Sequence, residues 1–231
     1  MNKTQMKAII VGATGLVGNE LLHLLLEHVS FSHVKILVRH KTPLEHPKLE
    51  QVQIDFNQLH KHIHEFNSDI VFCTLGTTIN KAGSKEAFIQ VDYTYPLQIA
   101  TICKEQNNSQ FHLVTAMGAS SSSTIFYNKV KGDIEEAIQK LNLETFVVYR
   151  PSMLLGNRKE KRIGEKIGQV LMVSLDFMFV GFLKKYKAIQ AKDVAKAMII
   201  QSLKNKKGFH ILESDKILEI ASYYIAINHK N

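Results

Sequence analysis

A short apolar stretch near the start of the chain leads into three glycines spaced three residues apart. Residues 7–11 are rich in β-branched side chains, which favours a buried parallel strand, and Gly12, Gly15 and Gly18 follow them. Leucine and valine then recur with helical spacing, so the glycines lie between a strand and a helix. Glycines in such a turn permit a tight bend, a close approach to phosphate and close helix packing, so the arrangement predicts a dinucleotide site.

Short apolar runs alternate with longer segments of helical periodicity over the first 150 residues. The apolar runs predict strands over 7–11, 34–38, 52–54, 70–75, 111–115 and 145–149. The segments between them predict helices over 16–28, 57–66, 92–106 and 126–141. This alternation predicts an α/β fold with a Rossmann-type doubly wound parallel sheet. Ligands bind beyond the carboxyl ends of such strands, so one crevice is expected at the loops that begin near Gly12, Arg39, Asp55, Leu75, Thr115 and Arg150.

The alternating pattern loosens after Pro151. We interpret residues 1–150 as the dinucleotide-binding core and residues 151–231 as a substrate-capping region, with helices over about 192–203 and 214–227. No linker separates the two parts, so the boundary is soft and they form one structural unit. The apolar tract 170–183 is shorter than the roughly 20 residues that cross a bilayer. It either pairs two subunits of a homodimer or covers the pocket.

The amino-acid composition limits which partners and which cellular location we expect for the protein. Because no charged stretch followed by a long apolar run opens the chain, we predict a cytoplasmic protein without a membrane span. With 29 basic and 21 acidic residues the net charge is +8, but the basic clusters lack interleaved aromatic residues, so no nucleic acid is expected. A basic field instead favours an anionic cofactor or substrate.

Neither the cysteines nor the histidines predict a metal site. Cys73 and Cys103 lack the paired spacing of a zinc site or a disulfide framework. His60, His62 and His64 do not share one helix face, and no carboxylate or cysteine completes a ligand set. We therefore interpret these histidines as solvated.

A tyrosine and a lysine stand four residues apart in the segment after the fifth predicted strand. Tyr127 and Lys131 share one face of the predicted helix at this spacing. A free tyrosine has a pKa of about 10, so its use as a proton donor to a carbonyl, or as a base in reverse, benefits from a nearby ammonium group. The pair therefore predicts proton transfer by Tyr127, with Lys131 lowering the pKa of the tyrosine.

The glycine signature and the Tyr127/Lys131 pair together resemble the small, atypical short-chain dehydrogenases/reductases. Over roughly residues 7–200 the chain is similar to the Tat-interacting-protein-like oxidoreductases. The motifs that carry this similarity are Phe72-Cys-Thr-Leu-Gly-Thr-Thr78, Lys81-Ala-Gly83, Val91-Asp92, Met117-Gly-Ala119, Val130-Lys-Gly132 and Arg150-Pro151. The resemblance implies a Rossmann fold, NADP(H) binding and a reductase-type pair in which the lysine also holds the nicotinamide ribose.

Besides the tyrosine and the lysine, such a reductase site uses a hydroxyl group that bonds the substrate carbonyl. Two residues of this chain are candidates for it. A serine about a dozen residues before the tyrosine is usual there, and Thr115 occupies this neighbourhood. Ala116 follows where a second serine is common, while Ser120 lies in a polar loop before the helix. We interpret Thr115 or Ser120 as the group that orients the substrate carbonyl.

Residues after the second and third predicted strands bear on the choice of cofactor. Arg39 stands where a guanidinium pairs with a 2'-phosphate, and no carboxylate follows before Glu45, so NADP(H) is predicted over NAD(H). Asp55 either contacts adenine, as the resemblance implies, or caps the next helix. The predicted cofactor-binding set is Gly12, Thr14, Gly15, Leu16, Val17, Gly18, Arg39, Asp55, Leu75, Gly76, Thr77, Lys131 and Arg150.

These predictions combine into one function and its alternatives. We predict an NADP(H)-dependent oxidoreductase that transfers hydride between the nicotinamide and a small carbonyl or alcohol substrate. The main alternative is an NAD(P)H-binding regulator that acts through a protein partner with little turnover, because the fold does not separate the two. A nucleotide-sugar or flavin-linked relative of the fold stays open.

Overall fold

Seven parallel strands form the central sheet of the chain. The computed structural model describes residues 5–156 and 187–224. The strands of this sheet are β1 Met6–Val11, β2 Phe31–Val38, β3 Leu49–Gln53, β4 Ile70–Cys73, β5 Gln110–Val114, β6 Thr145–Arg150 and β9 Gly208–Glu213. Their order across the sheet is β3-β2-β1-β4-β5-β6-β9. Strands β7 Leu154–Leu155 and β8 Ile189–Gln190 form a separate parallel pair.

Helices cover both faces of the sheet. The α-helices are α1 Leu16–Glu27, α2 Ile79–Ala82, α3 Lys85–Ile89, α4 Tyr95–Glu105, α5 Phe126–Gln139, α6 Ala191–Lys204 and α7 Ser214–Ser222. A 3-10 segment spans Phe56–Phe66, and a π-helical turn, Gln90–Thr94, precedes α4. The predicted Rossmann-type doubly wound parallel sheet is therefore confirmed.

The sheet separates two hydrophobic cores because successive side chains of a strand point to opposite faces. In β1, Ala8 and Ile10 belong to one core, while Ile9 and Val11 belong to the other. The first core also holds buried side chains of α1, α6 and α7, among them Leu21, Leu25, Val194, Met198 and Ile217. The second holds side chains of α4 and α5, among them Ile99, Cys103, Ile134 and Ile138.

Several elements differ from the sequence-based expectations. Strand β9 was not predicted; it pairs in parallel with β6, so the sheet continues beyond residue 150. The segment predicted as a helix over 57–66 forms 3-10 turns, with non-helical backbone at Gln58 and His62. The helix predicted over 92–106 begins as the π-helical turn. The apolar tract 170–183 and the end of the helix predicted over 214–227 lie outside the described residues.

A buried polar network joins β5, β6 and α6. The Gln110 side-chain amide donates to the Ser202 carbonyl oxygen (3.0 Å), and its oxygen lies 3.1 Å from His112 Nε2. Because that oxygen only accepts, Nε2 carries the proton, and Nδ1 accepts from the Tyr149 hydroxyl at 2.9 Å. Burial lowers the pKa of His112 to about 3, so the folded protein holds a neutral ring.

We expect His112 to make the stability of the fold depend on pH. Its folded-state pKa of about 3 lies below its ordinary value of 6.5, so the unfolded chain binds a proton that the folded chain does not. This residue alone should lower the free energy of unfolding by about 2 kcal/mol between pH 7 and pH 5. His112→Gln removes the titration, so urea unfolding of the variant should lose this part of the pH dependence. Identical pH dependence of the two proteins would contradict the assignment.

Candidate functional site

The glycine turn between β1 and α1 packs tightly on the end of β4. Gly12 has a φ of 95°, and a Cβ there would lie 2.7 Å from the backbone carbon of Thr74. A Cβ on Gly18 would lie 2.2 Å from the Gly12 carbonyl oxygen, so only glycine lets the helix approach this closely. Gly15 caps α1 without a side chain, and both Thr14 and Gly15 are exposed. The N-terminus of α1 is therefore accessible at Gly15, and the N–H groups of such a terminus can bind an anionic group.

A cleft of about 190 Å³ opens beside this turn. Its lining residues come from the ends of four strands: Gly12, Ala13, Thr14, Leu37, Val38, Arg39, His40, Phe56 and Leu75. The cleft thus brings together four predicted cofactor-binding residues, namely Gly12, Thr14, Arg39 and Leu75. Arg39 is exposed and, within the described part of the chain, has no hydrogen-bond or ion-pair partner. These lining residues include no carboxylate, which suits an anionic group.

Other members of the predicted cofactor set lie elsewhere. Asp55 caps the 3-10 segment: its carboxylate accepts from the backbone N–H of Asn57 (2.9 Å) and the side chain of Gln58 (3.0 Å). Of the two roles expected for Asp55, adenine contact and helix capping, these bonds correspond to capping. Asp55 does not line the cleft. Val17 is buried in the first core, and Leu16 packs partly buried against it. His40 and Phe56 were not predicted as site residues, although each directly follows a candidate residue in the sequence.

Tyr127 and Lys131 lie on one face of α5, as predicted. The Lys131 Nζ atom is 6.0 Å from the centre of the Tyr127 ring, which in turn lies 5.5 Å from the ring of Phe88. Lys131 is only 4% exposed, and its Nζ forms an ion pair with Asp92 Oδ1 at 2.7 Å. The other oxygen of Asp92 accepts from the Thr77 N–H at 2.9 Å. The loop after β4 and the π-helical turn therefore hold the lysine beside the tyrosine.

The electrostatics of this pair favour a charged lysine. Burial removes the ammonium group of Lys131 from water and opposes its charge, but the Asp92 carboxylate, with a smaller contribution from Tyr127, outweighs this, and the pKa of Lys131 is raised. A Cβ on Gly76 would lie 3.6 Å from Asp92 Oδ1 and 3.8 Å from Lys131 Nζ, so Gly76 leaves this side of the ion pair free of a side chain. Burial raises the pKa of nearby Cys73 to about 12, so its thiol stays neutral.

The structure gives different surroundings to the two candidate hydroxyl groups. Thr115 is buried, and its hydroxyl donates to Glu135 Oε1 at 2.6 Å. Glu135 also pairs with Arg150, the remaining predicted cofactor-binding residue. The Ser120 hydroxyl lies 2.9 Å from that of Ser122 in the loop before α5. Asp92 and Glu135 were not predicted as site residues, although Glu135 continues the four-residue spacing of Tyr127 and Lys131.

Within residues 5–156 and 187–224, histidine, cysteine and carboxylate side chains form no group of three that could hold a metal ion. None of the helices in these two ranges has the length and hydropathy needed to cross a bilayer.

Two curated proteins are similar to the chain over most of its length. It is 33% identical over 225 residues to protein HTATIP2 of Rattus norvegicus. The matched region covers 94% of this chain and 90% of that protein. It is 32% identical over 212 residues to the mitochondrial protein FMP52 of Coccidioides immitis, with 86% of each chain covered. The location in that name belongs to FMP52, and the cytoplasmic location expected above stays a prediction.

Solved structures share the fold at low sequence identity. MoeE5 in complex with UDP-glucose and NAD has a TM-score of 0.67 and 11% identity, covering 96% of this chain and 82% of that chain. The enzyme WbmH of Bordetella bronchiseptica in complex with NAD+ has a TM-score of 0.67 and 17% identity, covering 94% and 79%. Residues 12–205 match the sequence profile of a family described as NAD(P)H-binding. The chain therefore belongs to this NAD(P)H-binding, oxidoreductase-like family, and its resemblance to the atypical short-chain dehydrogenases/reductases is confirmed.

Proposed function

We propose that the protein is an NADP(H)-dependent oxidoreductase that transfers hydride between the nicotinamide and a small carbonyl or alcohol. The observation that carries this proposal is the buried Lys131 ammonium group, held 6.0 Å from the centre of the Tyr127 ring. Removing a lysine charge from water is costly even when a carboxylate such as Asp92 pairs with it, and buried charges with shifted pKa values are concentrated at functional sites. The dinucleotide supplies the hydride when it is bound.

In this mechanism the proton passes through Tyr127. Its phenol donates to the carbonyl oxygen during reduction, and the nearby Lys131 cation stabilises the phenolate that remains. An ammonium group has three donors, so Lys131 can bond ribose hydroxyls while it stays paired with Asp92. The half-buried position of Tyr127 leaves part of its side chain accessible to a substrate.

The cofactor would lie across the carboxyl ends of β1, β2 and β4. The N-terminus of α1, next to Gly15, would hold the pyrophosphate, and the exposed Arg39 would pair with the 2'-phosphate. Leu75, Gly76 and Thr77 lead from the cleft to the Asp92–Lys131 pair. This path supports a dinucleotide whose adenosine end lies in the cleft and whose nicotinamide end lies near Tyr127.

Arg39→Ala is expected to weaken NADPH binding about 10-fold to 100-fold, because a charge-assisted contact contributes about 1.5–3 kcal/mol. NADH affinity should change less than about twofold, since NADH has no 2'-phosphate. Titration calorimetry with both cofactors measures this selectivity, and the exposed Lys41 supplies a matched control in Lys41→Ala. An equal loss for both cofactors would contradict the role of Arg39.

A carbonyl panel tests the function itself. Purified protein is mixed with NADPH and with aliphatic aldehydes, aromatic aldehydes, ketones or quinones, and NADPH consumption is followed by absorbance. We expect turnover with at least one class. If no class is reduced although NADPH binds, the oxidoreductase proposal fails.

A second candidate function is an NAD(P)H-binding regulator with little turnover. The observation that favours it is the bond from the Thr115 hydroxyl to Glu135, next to Ala116, which has no hydroxyl. The end of β5 thus offers no free hydroxyl for a substrate. Tight NADPH binding without turnover, together with a purified partner that binds only in the presence of NADPH, would support this function over catalysis.

A further inference from the structure

Glu135 forms a polar cluster with Thr115 and Arg150. The Glu135 side chain is 3% exposed and accepts from the Thr115 hydroxyl at 2.6 Å. The Arg150 Nε atom lies 3.1 Å from both Glu135 oxygens, and Arg150 Nη2 donates to Oε2. A guanidinium and a hydroxyl therefore saturate this carboxylate on the inner face of α5.

The cluster connects the Tyr127 face of α5 to the ends of two strands. Tyr127, Lys131 and Glu135 are spaced four residues apart, so their side chains form one stripe along the helix. Thr115 directly follows β5, and Arg150 ends the adjacent strand β6. Both strand ends border the crevice in which ligands of such sheets bind. Glu135 thus fixes the position of the helix relative to that crevice.

We propose that Glu135 is a positioning residue. Together with Arg150 it holds Tyr127 and Lys131 at their working distance from the substrate. Thr115 donates its hydroxyl proton to Glu135 rather than to the substrate. This proposal rests on the proposed oxidoreductase function. A hydroxyl has one proton to donate, and Thr115 gives that proton to Glu135. The carbonyl-orienting role then falls to Ser120, which can accept from Ser122 and donate its own proton to a substrate.

Glu135→Gln tests the positioning role, with Glu105→Gln at the exposed end of helix α4 as the matched control. We expect Glu135→Gln to lower kcat by about tenfold to a hundredfold, because a small misplacement of the reacting group has effects of that size. KM should stay within about twofold, and the limb of the kcat pH profile that reports Tyr127 should shift. Equal kinetics for Glu135→Gln and Glu105→Gln would overturn the proposal.

Variants of Thr115 separate support of Glu135 from contact with the substrate. Thr115→Val should lower kcat by less than about tenfold, and Thr115→Ser should restore it, whereas losing a carbonyl donor lowers kcat by about a hundredfold or more. Ser120→Ala should show this larger loss. A hundredfold loss in Thr115→Val, with none in Ser120→Ala, would overturn the assignment.

Hydrogen exchange needs no turnover, so it tests the positioning role of Glu135 separately from the oxidoreductase proposal. If the wild-type protein reduces no carbonyl, the oxidoreductase proposal has failed, and hydrogen exchange still tests Glu135. Amides of α5 should exchange faster in Glu135→Gln, but not in Glu105→Gln. Arg150→Lys keeps the positive charge but loses the planar guanidinium group, and it should show the same change. This variant supplies the test if Glu135→Gln does not fold. Unchanged exchange in both would overturn the positioning role.

Discussion

Tyr127→Phe is expected to lower the rate of carbonyl reduction by about 100-fold to 10,000-fold, the range that a positioned general acid contributes. The variant keeps the aromatic ring, so its contacts with Phe88 at 5.5 Å and with Lys131 at 6.0 Å are preserved. Only the hydroxyl group, with its dissociable proton, is lost. NADPH affinity, measured by calorimetry, should therefore stay within about twofold, while NADPH consumption with the best carbonyl of the panel falls.

The matched control for this prediction is Tyr223→Phe. Tyr223 is 54% exposed at the end of α7, so removing its hydroxyl should change neither the rate nor NADPH binding. If Tyr127→Phe kept more than a tenth of the wild-type kcat, another group would have to move the proton. In that case the proposed role of Tyr127 as the proton donor would be wrong, and with it the role of Lys131 in stabilising a phenolate.

The buried strands could be predicted from the sequence because their signal is local. Strands β1, β4, β5 and β6 consist almost wholly of buried side chains, and turn residues or helical periodicity flank them. Strand β9 has no fully buried residue in its sequence Gly-Phe-His-Ile-Leu-Glu, because it lies at the edge of the sheet. Its apolar pattern is therefore weak, and pairing with β6, which is distant in sequence, decides its structure.

The candidate site shows the same division between local and distant contacts. Tyr127 and Lys131 could be paired from the sequence because helical geometry alone places them on one face. Their partners could not, because Asp92 reaches Lys131 from the π-helical turn, and Arg150 reaches Glu135 from β6. Such contacts depend on the packing of α5 against the sheet. Spacing along one helix therefore predicts which side chains share a face, but not which charges they meet.

Asp92→Ala is expected to lower the free energy of unfolding by about 3–5 kcal/mol, the cost of leaving a buried charge without its partner. Lys131 would remain 4% exposed with its ammonium group unpaired, and Thr77 would lose the acceptor of its N–H. Asp133 provides the control, because its pair with Lys129 on the same helix lies at the surface, with side chains 35% and 52% exposed. Asp133→Ala should lower the free energy of unfolding by less than about 1 kcal/mol.

The double variant Asp92→Leu/Lys131→Met distinguishes a requirement for charge from a requirement for packing. Because apolar residues of similar volume often replace a buried ion pair without loss, its free energy of unfolding in urea should lie within about 2 kcal/mol of the wild type. Carbonyl reduction should be lost in the double variant, since no cation remains beside Tyr127. The buried pair would then be retained for chemistry rather than for stability. A double variant as unstable as Asp92→Ala would show instead that the polar contacts themselves hold the loop after β4 in place.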